Sequence, residues 1–492
     1  MRDWLIHIKR GEYASLQTQI REALVSAILD RKLDKSEPIP STRKMAKSLG
    51  VSRNTVVLAY QGLLDDGYLL AKERSGYFVS DKAIDDTSPK PRTPKNGVTK
   101  ISTDLDWTTR VKLRPNSLEN AVKPLDWQEY NYPFIYGQVD HTLFPLAEWR
   151  DCTRQALGKK WFGAWTNDTW ATDDPLLVEQ IRRRILPRRG IMATDDEILV
   201  TLGAQNSLFL LTSLLVDRNT TVAMEEPGYP DMRNMFKLAT DKVKLVPLDE
   251  KGLVVGPQLD DADLVFTTPS HQFPTTVTMP LERRMALLKK ASEKNFIIIE
   301  DDYEFETNYV NEPCPALKSL DEKGHVVYVG SLSKSLFPGL RLGFLVGPKK
   351  LIAEARALRR LMVRHAPNNN QRTAALFLSL GHHDTLIRRL HRAYHKRWEI
   401  MAAALEQYFP ASSQQPSFGG TSFWVKGAAD LDSEMLAKEA AAKGILIEPG
   451  RVNFGVKNPP RNYFRLAFSS IDENKIAAGV KLLAETIRDV RA

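Results

Sequence analysis

Cysteine is scarce in this sequence, and long hydrophobic runs are missing. Cys152 and Cys314 are the two cysteines in 492 residues, too few for a disulfide framework or a cysteine-rich zinc site. Residues 1–10 carry four charges instead of the apolar stretch of a signal peptide, and the most apolar window, residues 198–216, is interrupted by polar side chains. We therefore expect a cytoplasmic protein without a membrane span.

Other site types lack their signatures. The sequence has no phosphate-binding loop of the Walker type, no serine-hydrolase elbow and no internal repeat. His391 and His395 are four residues apart on a predicted helix, but the segment offers no third ligand. No metal site is predicted.

The overall composition indicates a folded protein with an anionic partner. Hydrophobic residues make up 42% of the chain, so it is not disordered, and its length predicts roughly two to four domains. Lys and Arg number 69 against 60 Asp and Glu, a net charge of +9. Nucleic acid is the first candidate for such a partner.

Three regions differ in character. Residues 1–80 have compact helical patterns, residues 81–126 lack apolar periodicity, and residues 127–492 alternate between strand-like and helical runs. The middle region contains SPKPRTPKNG (residues 88–97), with three prolines among basic residues. We predict that residues 81–126 form a basic linker joining two domains.

The first region predicts a winged helix-turn-helix, a mainly α fold. After an amphipathic helix ending near Asp30, a second helix begins at Ser41 or Thr42 and ends at Gly50, and a third is capped by Ser52. Residues 68–80 then predict a hairpin around a turn at residues 73–76. Between residues 41 and 55 there are four basic and no acidic residues, namely Arg43, Lys44, Lys47 and Arg53.

This region resembles the DNA-binding domain of the GntR family. The resemblance is carried by Pro40-Ser41-Thr42-Arg43 and by Ser52-Arg53-Asn54-Thr55-Val56. It implies that the third helix presents its first residues to double-stranded promoter DNA and that the hairpin tip is a wing. The DNA-binding residues implied are Arg43, Ser52, Arg53, Asn54, Thr55, Ser75, Gly76 and Tyr77.

The large region predicts an α/β fold with a sheet covered on both faces. Apolar runs separated by helical patterns occur at residues 198–201, 221–224, 264–267, 296–299, 326–329 and 343–346. Ligands bind at the carboxyl ends of the strands in such sheets. The polar residues that follow these runs are therefore the candidate site.

Four polar segments lie at these positions. A glycine turn precedes Ala204 and Gln205 at a predicted helix N-terminus, which suits a phosphate. Tyr229 follows the next strand, and three isoleucines run into Glu300-Asp301-Asp302-Tyr303, whose buried carboxylates require a cationic partner. The last segment, residues 331–343, holds Lys334, an amine able to condense with an aldehyde, and Arg341, a fork for phosphate oxygens.

The spacing of Asp301, Tyr303, Lys334 and Arg341 resembles the pyridoxal phosphate site of fold type I aminotransferases, and the resemblance extends over residues 143–465. It implies that Lys334 forms the Schiff base with pyridoxal 5'-phosphate and that Asp301 pairs with the pyridinium nitrogen. Tyr303 would then form a hydrogen bond with the phenolate oxygen of the ring, and Tyr229 would stack on the ring.

The same resemblance implies the remaining contacts. Arg465 matches the arginine that binds a substrate carboxylate, and Gln272 is a weaker match for a residue that contacts the ring. Thr276 stands where the family has glycine, so the loop is expected to depart from that of a working transaminase. The cofactor phosphate would be held by Ser331, by Arg341 and by the backbone amides of Ala204 and Gln205.

Together the two resemblances identify the chain as a member of the MocR subfamily of bacterial regulators. This implies a homodimer that senses an amino acid or amine through pyridoxal phosphate, with at most partial transamination chemistry. Two alternatives stay open from the sequence: an aminotransferase with an incidental basic appendage, and a regulator that senses pyridoxal phosphate itself.

Overall fold

The computed structural model describes residues 8–9, 14–73, 75–81, 105–135, 137, 140–309, 314–410 and 419–491. The chain forms two compact units, Met1–Arg110 (unit 1) and Val111–Ala492 (unit 2). The predicted linker core, residues 88–97, lies outside the described residues. Residues 111–126, which the sequence assigned to the linker, count with unit 2, because Glu119 and Lys123 form ion pairs with Arg451 and Glu448. In the described ranges, no helix has the length and apolarity that a membrane span requires.

Unit 1 consists of short helices and one hairpin. Ser52 caps its helix as predicted, and Ser41, one of the two candidates, caps the helix before it. Their hydroxyls accept hydrogen bonds from the backbone N–H groups of Thr55 and Lys44 at 3.1 and 3.3 Å. Gly50 follows the second helix with φ 65°, a left-handed conformation that favours glycine. The described elements are α1 (Leu16–Leu29), α2 (Thr42–Leu49), α3 (Arg53–Asp65), β1 (Leu69–Lys72), β2 (Gly76–Val79) and α4 (Trp107–Arg110).

The core of unit 1 lies between α1, α2, α3 and the hairpin. Tyr60 connects the hairpin to this core, since its ring meets the edge of the Tyr77 ring at a centroid distance of 5.1 Å and its hydroxyl donates to the Pro40 carbonyl at 2.8 Å. Helical spacing places the buried apolar side chains of each helix on one face, so the opposite face of α3 is left to solvent. The core side chains include Ile20, Leu24, Ile28, Met45, Val56, Ala59, Leu63, Leu69 and Val79.

Unit 2 alternates helices and strands over most of its length. Its described helices are α5 (Leu146–Ala156), α6 (Phe162–Thr166), α7 (Pro175–Gln180), α8 (Ala204–Leu215), α9 (Pro230–Ala239), α10 (Leu281–Lys294), α11 (Leu317–Leu320), α12 (Lys349–Val363), α13 (Asn368–Ser379), α14 (His382–Tyr408), α15 (Ser433–Ala442) and α16 (Glu473–Arg491). Its described strands are β3 (Tyr132–Pro133), β4 (Ile198–Thr201), β5 (Val222–Glu226), β6 (Val243–Asp249), β7 (Gly252–Leu253), β8 (Leu264–Thr267), β9 (Ile297–Asp302), β10 (Val326–Ser331), β11 (Gly343–Val346), β12 (Ser422–Lys426), β13 (Ile445–Leu446), β14 (Glu448–Pro449) and β15 (Tyr463–Ala467).

The main sheet has the order β4-β11-β10-β9-β8-β5-β6-β7 in the described part of the chain. β11 runs antiparallel to both of its neighbours and β7 runs antiparallel to β6, while β10, β9, β8, β5 and β6 are parallel. Each of the six predicted apolar runs contributes a strand to this sheet. β6 went unrecognised, because Lys244 and Pro247 interrupt its apolar pattern.

Helices cover both faces of this sheet, as predicted for buried parallel strands. Alternation along β4 shows the two faces: Leu199 packs with residues of α8, α9 and α12, whereas Ile198 and Val200 join a second core cluster. A third cluster packs α10 and α11 against strand residues such as Val265 and Ile298. The central strands of the sheet are thus buried, whereas β6, near one edge, is only partly buried.

A smaller sheet with the order β12-β15-β14 lies in the C-terminal part of unit 2. β15 is antiparallel to both neighbours, so Arg465 lies opposite Trp424 on one side and Glu448 on the other. This pairing fixes the position of the predicted carboxylate-binding arginine.

Candidate functional site

A cavity of about 190 Å³ opens at the carboxyl ends of the main sheet's strands. Because β9 and β10 are parallel neighbours, with Asp301 opposite Val329, the residues that follow them meet at one edge. Eight of the nine predicted cofactor-binding residues line this cavity, namely Ala204, Gln205, Tyr229, Asp301, Tyr303, Ser331, Lys334 and Arg341. Six further residues that were not predicted line it too, namely Gly137, Leu208, Thr268, Phe273, Ser333 and Pro338.

Lys334 lies three residues beyond the end of β10. Burial lowers the pKa of its amine from 10.5 to about 8, an effect that nearby Glu304 opposes and the cations Lys123 and Arg465 reinforce. A substantial neutral fraction near pH 8 suits an amine that attacks an aldehyde. Gly137 borders this amine with φ +80°, and a Cβ there would lie 2.9 Å from the Lys334 Nζ.

Asp301 lies on β9 and is 4% exposed. Its Oδ1 is buried without a hydrogen-bond partner within the described ranges. Burial and the adjacent Asp302 carboxylate raise the pKa of Asp301 to about 8, an effect that the Lys334 ammonium opposes. A buried carboxyl with an unused oxygen at the cavity fits a cationic ring nitrogen.

Three aromatic rings form one wall. The Tyr303 hydroxyl donates to the His271 carbonyl at 2.9 Å, and the Tyr229 hydroxyl donates to Gln205 Oε1 at 2.7 Å. Phe273 lies edge-on to both tyrosines, with centroid distances of 5.2 Å to Tyr229 and 6.2 Å to Tyr303. All three rings line the cavity, which suits an aromatic cofactor.

The predicted phosphate end is formed by the start of α8 and the loop after β10. First-turn N–H groups such as those of Ala204 and Gln205 have no partner within their own helix. Arg341 donates to the Leu202 carbonyl at 2.8 Å and lies beside Gly203. The Ser331 hydroxyl accepts a hydrogen bond from the backbone N–H of Ser333 at 3.2 Å. Ser333 lies in the same SLSKS segment, and its position next to Lys334 is the signal in the sequence that indicates it.

Gln272 is the one predicted cofactor residue that does not line the cavity. Its amide nitrogen donates to Glu225 Oε2 at 3.1 Å and to the carbonyls of Pro227 and Phe273 at 3.0 and 2.6 Å. Glu225 is a buried carboxylate that requires donors, which explains why this amide turns away from the ring space. Thr276 keeps φ 64°, so this loop retains a backbone conformation that favours glycine despite the threonine.

Arg465 is buried on β15 and already holds a carboxylate. Its Nε and a terminal nitrogen each donate to Glu448 Oε2 at 2.8 Å, and Lys123 Nζ lies 3.1 Å from Glu448 Oε1. The guanidinium carbon lies 4.4 Å from the centroid of the Phe273 ring, which lines the cavity. Lys123 and Glu448 were both missed, since neither belongs to a motif of the predicted site.

In unit 1, the predicted DNA-binding residues lie on α2, α3 and the hairpin. Arg43, Arg53 and Asn54 are exposed. Ser52 is exposed but caps α3, and its hydroxyl lies 2.8 Å from that of half-buried Thr55. The exposed cations and Asn54 are therefore placed where nucleic acid has access to them.

The hairpin differs from the prediction in one respect. Ser75 is exposed next to the turn, whereas Gly76 and Tyr77 already belong to β2. Tyr77, which the sequence placed at the tip, packs on Tyr60 because alternate strand residues point to opposite faces.

Comparisons with known proteins match both units. Residues 16–79 match the family described as "Bacterial regulatory proteins, gntR family", and residues 167–483 match "Aminotransferase class I and II". The chain is 46% identical to the HTH-type transcriptional regulator TauR of Rhodobacter capsulatus, over 97% of this chain and 98% of that protein. It is 28% identical to the probable rhizopine catabolism regulatory protein MocR of Rhizobium meliloti, over 97% and 95% of the two chains.

A solved structure agrees with the fold of unit 2. The kynurenine aminotransferase of Pyrococcus horikoshii, in complex with PMP, superposes with a TM-score of 0.70 at 27% identity, over 78% of this chain and 98% of that chain. The fold is therefore that of fold type I pyridoxal phosphate enzymes, and the cofactor of unit 2 is pyridoxal phosphate. The chain belongs to the MocR-like transcription regulators, in which a GntR DNA-binding domain is joined to a domain of the aminotransferase class I and II family.

Proposed function

We propose that this regulator binds promoter DNA through α2, α3 and the hairpin of unit 1, and that it senses an amino compound at the pyridoxal phosphate site of unit 2. The observation that carries the proposal is the cavity beside Lys334, on a chain with a GntR domain. That cavity brings a reactive amine together with a buried carboxyl oxygen of Asp301 that has no hydrogen-bond partner among the described residues. A catalytic site of this type on a DNA-binding chain supports sensing of a ligand.

Each part of the cofactor has its own set of proposed binding residues. Asp301 would hold the proton of the ring nitrogen, Tyr229 and Phe273 would flank the ring, and Tyr303 would donate at the ring oxygen. The phosphate would be held by Ser331, Arg341 and the first amides of α8. Pyridoxal phosphate, when bound, supplies an aldehyde that condenses with amines and a ring that withdraws electrons. Lys334 supplies the resident amine, and its lowered pKa favours the neutral form.

Arg465 supports a ligand that carries an acid group. A guanidinium fork can bind a carboxylate through two parallel hydrogen bonds, and two nitrogens of Arg465 already contact a carboxylate, both at Oε2 of Glu448. Its contact with Phe273 places it at the border of the cavity. The proposed effector is therefore an amino compound whose amine reaches the Lys334 side and whose acid group reaches Arg465.

Exposed side chains of α2 and α3 support the proposed DNA contacts. Arg43 and Arg53 are proposed to contact phosphates or bases, and Asn54 a base edge, as in other helix-turn-helix readers. Ser52 and Thr55 would position the start of α3, and Ser75 would lie at the wing. Each arginine that contacts a phosphate contributes about 0.9 to the slope of log affinity against log salt.

A homodimer is proposed as the working assembly. Several large apolar side chains of unit 2 are exposed in the single chain, among them Val122, Leu125 and Leu361, which are 91%, 98% and 84% exposed. A contiguous apolar surface marks an interaction site, and these side chains are the candidates for such a surface between two copies of the chain. Two DNA-binding units in one dimer would read paired half-sites. Sedimentation of the full chain as a monomer at working concentration would contradict this assembly.

The decisive experiment titrates the cofactor-loaded full chain with amino acids, amines and vitamin B6 forms while following its visible absorbance and its footprint on its promoter. The proposal expects an amino compound to change both. A change in footprint when the cofactor-free chain takes up pyridoxal phosphate, with no amine present, would instead support sensing of the cofactor. Arg43→Ala and Arg53→Ala should weaken DNA binding and leave the absorbance response intact.

A further inference from the structure

Arg465, Glu448 and Lys123 form a continuous bridge of charges, the Lys123–Glu448–Arg465 bridge. Antiparallel pairing of β14 and β15 sets Glu448 directly opposite Arg465. Glu448 Oε2 accepts two hydrogen bonds from Arg465 at 2.8 Å, and its Oε1 lies 3.1 Å from Lys123 Nζ. One carboxylate therefore spans two cations.

The bridge borders the cavity that contains Lys334. A Cβ on Gly137 would lie 2.9 Å from the Lys334 Nζ and 3.8 Å from the Lys123 Nζ, so both amines flank the same glycine. Arg465 packs on Phe273, another residue of the cavity wall. The bridge is therefore close enough to the cavity to receive an acid group attached to an amine at Lys334.

Glu448 makes with Arg465 the contact that a ligand's carboxylate requires. Its side chain is 13% exposed, and that of Arg465 is 8% exposed. The two cations lower the pKa of Glu448, so it is ionised at neutral pH despite its burial. An incoming carboxylate must therefore compete with a charged internal one for the same guanidinium.

The other end of the bridge anchors a segment that leads towards the DNA-binding unit along the chain. Glu119 pairs with Arg451 at 3.1 Å, and its carbonyl accepts a hydrogen bond from the Asn234 amide at 2.9 Å. Lys123 is flanked by Val122 and Leu125, whose side chains are almost fully exposed. Polar anchors, rather than apolar packing of its large side chains, hold this segment to unit 2.

We propose that Glu448 occupies the acid-binding position of Arg465 in the ligand-free regulator, and that Lys123 is a specificity-determining residue that supplies the second cation for the ligand's acid group. This inference rests on the proposed function. The acid group of an acidic amino compound replaces Glu448 in the ion pair with Arg465 and is also attracted by the charge of Lys123. The anchor of residues 119–126 then changes when ligand binds, whereas an amine without an acid group leaves it in place.

The test compares wild type, Glu448→Gln and Lys123→Met as cofactor-loaded full chains. Glu473→Gln, which removes a charge paired with Lys396 instead, is the matched control. The probes are glycine, β-alanine and 5-aminopentanoate, with ethylamine and pentylamine as amines that lack the acid. Half-saturation is read from visible absorbance, and hydrogen exchange of residues 119–126 is measured without probe.

Glu448→Gln should bind the acid-containing probes about tenfold more tightly, the scale of one hydrogen bond to a charged group, and should speed exchange of residues 119–126. Lys123→Met should weaken binding of the acid-containing probes. Both changes should alter half-saturation by the plain amines less than half-saturation by the acids, because the charges of Lys123 and Glu448 also act on the Lys334 amine. The control should match wild type. Thermal melts verify folding, and Lys123→Met carries the test should Glu448→Gln not fold.

Two outcomes overturn the inference while leaving the proposed function standing. One is a wild-type response to amino acids that Glu448→Gln and Lys123→Met leave unchanged. The other is a change in half-saturation by the plain amines, in either variant, that is as large as the change for the acid-containing probes. If hydrogen exchange of residues 119–126 in Glu448→Gln matches wild type, Glu448 does not anchor this segment, whichever probes bind. Failure of every probe on every cofactor-loaded protein refutes the proposed function, and the inference with it.

Discussion

Replacing Asp301 with asparagine tests whether this buried carboxyl is kept for the cofactor at a cost to stability. Burial and Asp302 raise the pKa of Asp301 from 3.8 to about 8. Without cofactor, the folded protein therefore keeps a proton that the unfolded chain has released at any pH between these values. Because the folded state binds more protons in that window, the free energy of unfolding falls as the pH rises from about 4 to about 8.

The expected size follows from the proton count. One proton changes the free energy of unfolding by about 1.4 kcal/mol per pH unit, so wild type should lose about 2 kcal/mol between pH 6 and pH 7.5 through Asp301. Asparagine does not titrate. The stability of Asp301→Asn relative to wild type should therefore rise by about the same 2 kcal/mol over this range.

Urea unfolding of the cofactor-free full chain, followed by tryptophan fluorescence at several pH values, measures this difference. Seven of the nine tryptophans lie in unit 2, so the signal reports mainly on the unit that contains Asp301. Asp126→Asn, at an exposed position, is the control. Asp301→Asn should also bind pyridoxal phosphate more weakly, because the ring nitrogen loses its charged partner. Parallel stability curves for wild type and Asp301→Asn across this pH range would refute the reasoning.

Three further predictions concern single side chains. Lys334→Ala should abolish the visible band of the Schiff base between this lysine and the cofactor while the chain stays folded, and an unchanged spectrum would contradict the assignment. Gly343→Ala should weaken cofactor binding and cost about 1–3 kcal/mol of stability, because its Cβ would lie 2.7 Å from the Gly203 carbonyl carbon; Gly339→Ala, with its nearest atom at 4.0 Å, is the control for both measurements. Arg53→Ala should lower the salt slope of DNA binding by about 0.9, measured by band shifts at two salt concentrations; Lys32→Ala, outside α2 and α3, should leave that slope unchanged.

Local patterns in the sequence were sufficient for the elements that carry the site. The isoleucines before Asp301 and the valines before Ser331 are strands because continuous β-branched runs suit a sheet buried on both faces. Parallel pairing of those strands then brings Asp301 and Lys334 to one edge. Ser41 and Ser52 were recognisable as caps for a similar reason, since a capping hydroxyl needs only the backbone three residues ahead.

Contacts between distant segments were not predictable in the same way. Lys123 lies in a stretch without periodicity, and Glu448 is one of many acidic residues, so nothing local indicates that they meet at Arg465. Their pairing depends on the register of β14 with β15 and on the path of residues 119–126. Gln272 shows the reverse case: a motif position predicted a ring contact, but the buried carboxylate of Glu225 takes the amide.

The two ends of the proposed effector site differ in whether their charged groups already have partners before any ligand binds. At the cofactor end, Asp301 keeps a buried oxygen without a hydrogen-bond partner in the described residues, so a cationic ring nitrogen removes an existing cost. At the acid end, Arg465 is already paired with Glu448, so a ligand gains only the difference between its own carboxylate and the internal one. On the proposed function, this difference favours cofactor binding. Effector binding replaces one carboxylate at Arg465 by another, so its net free energy is small. A ligand changes DNA affinity only by its preference for one state over the other. Such an exchange suits a reversible response to effector concentration better than tight capture.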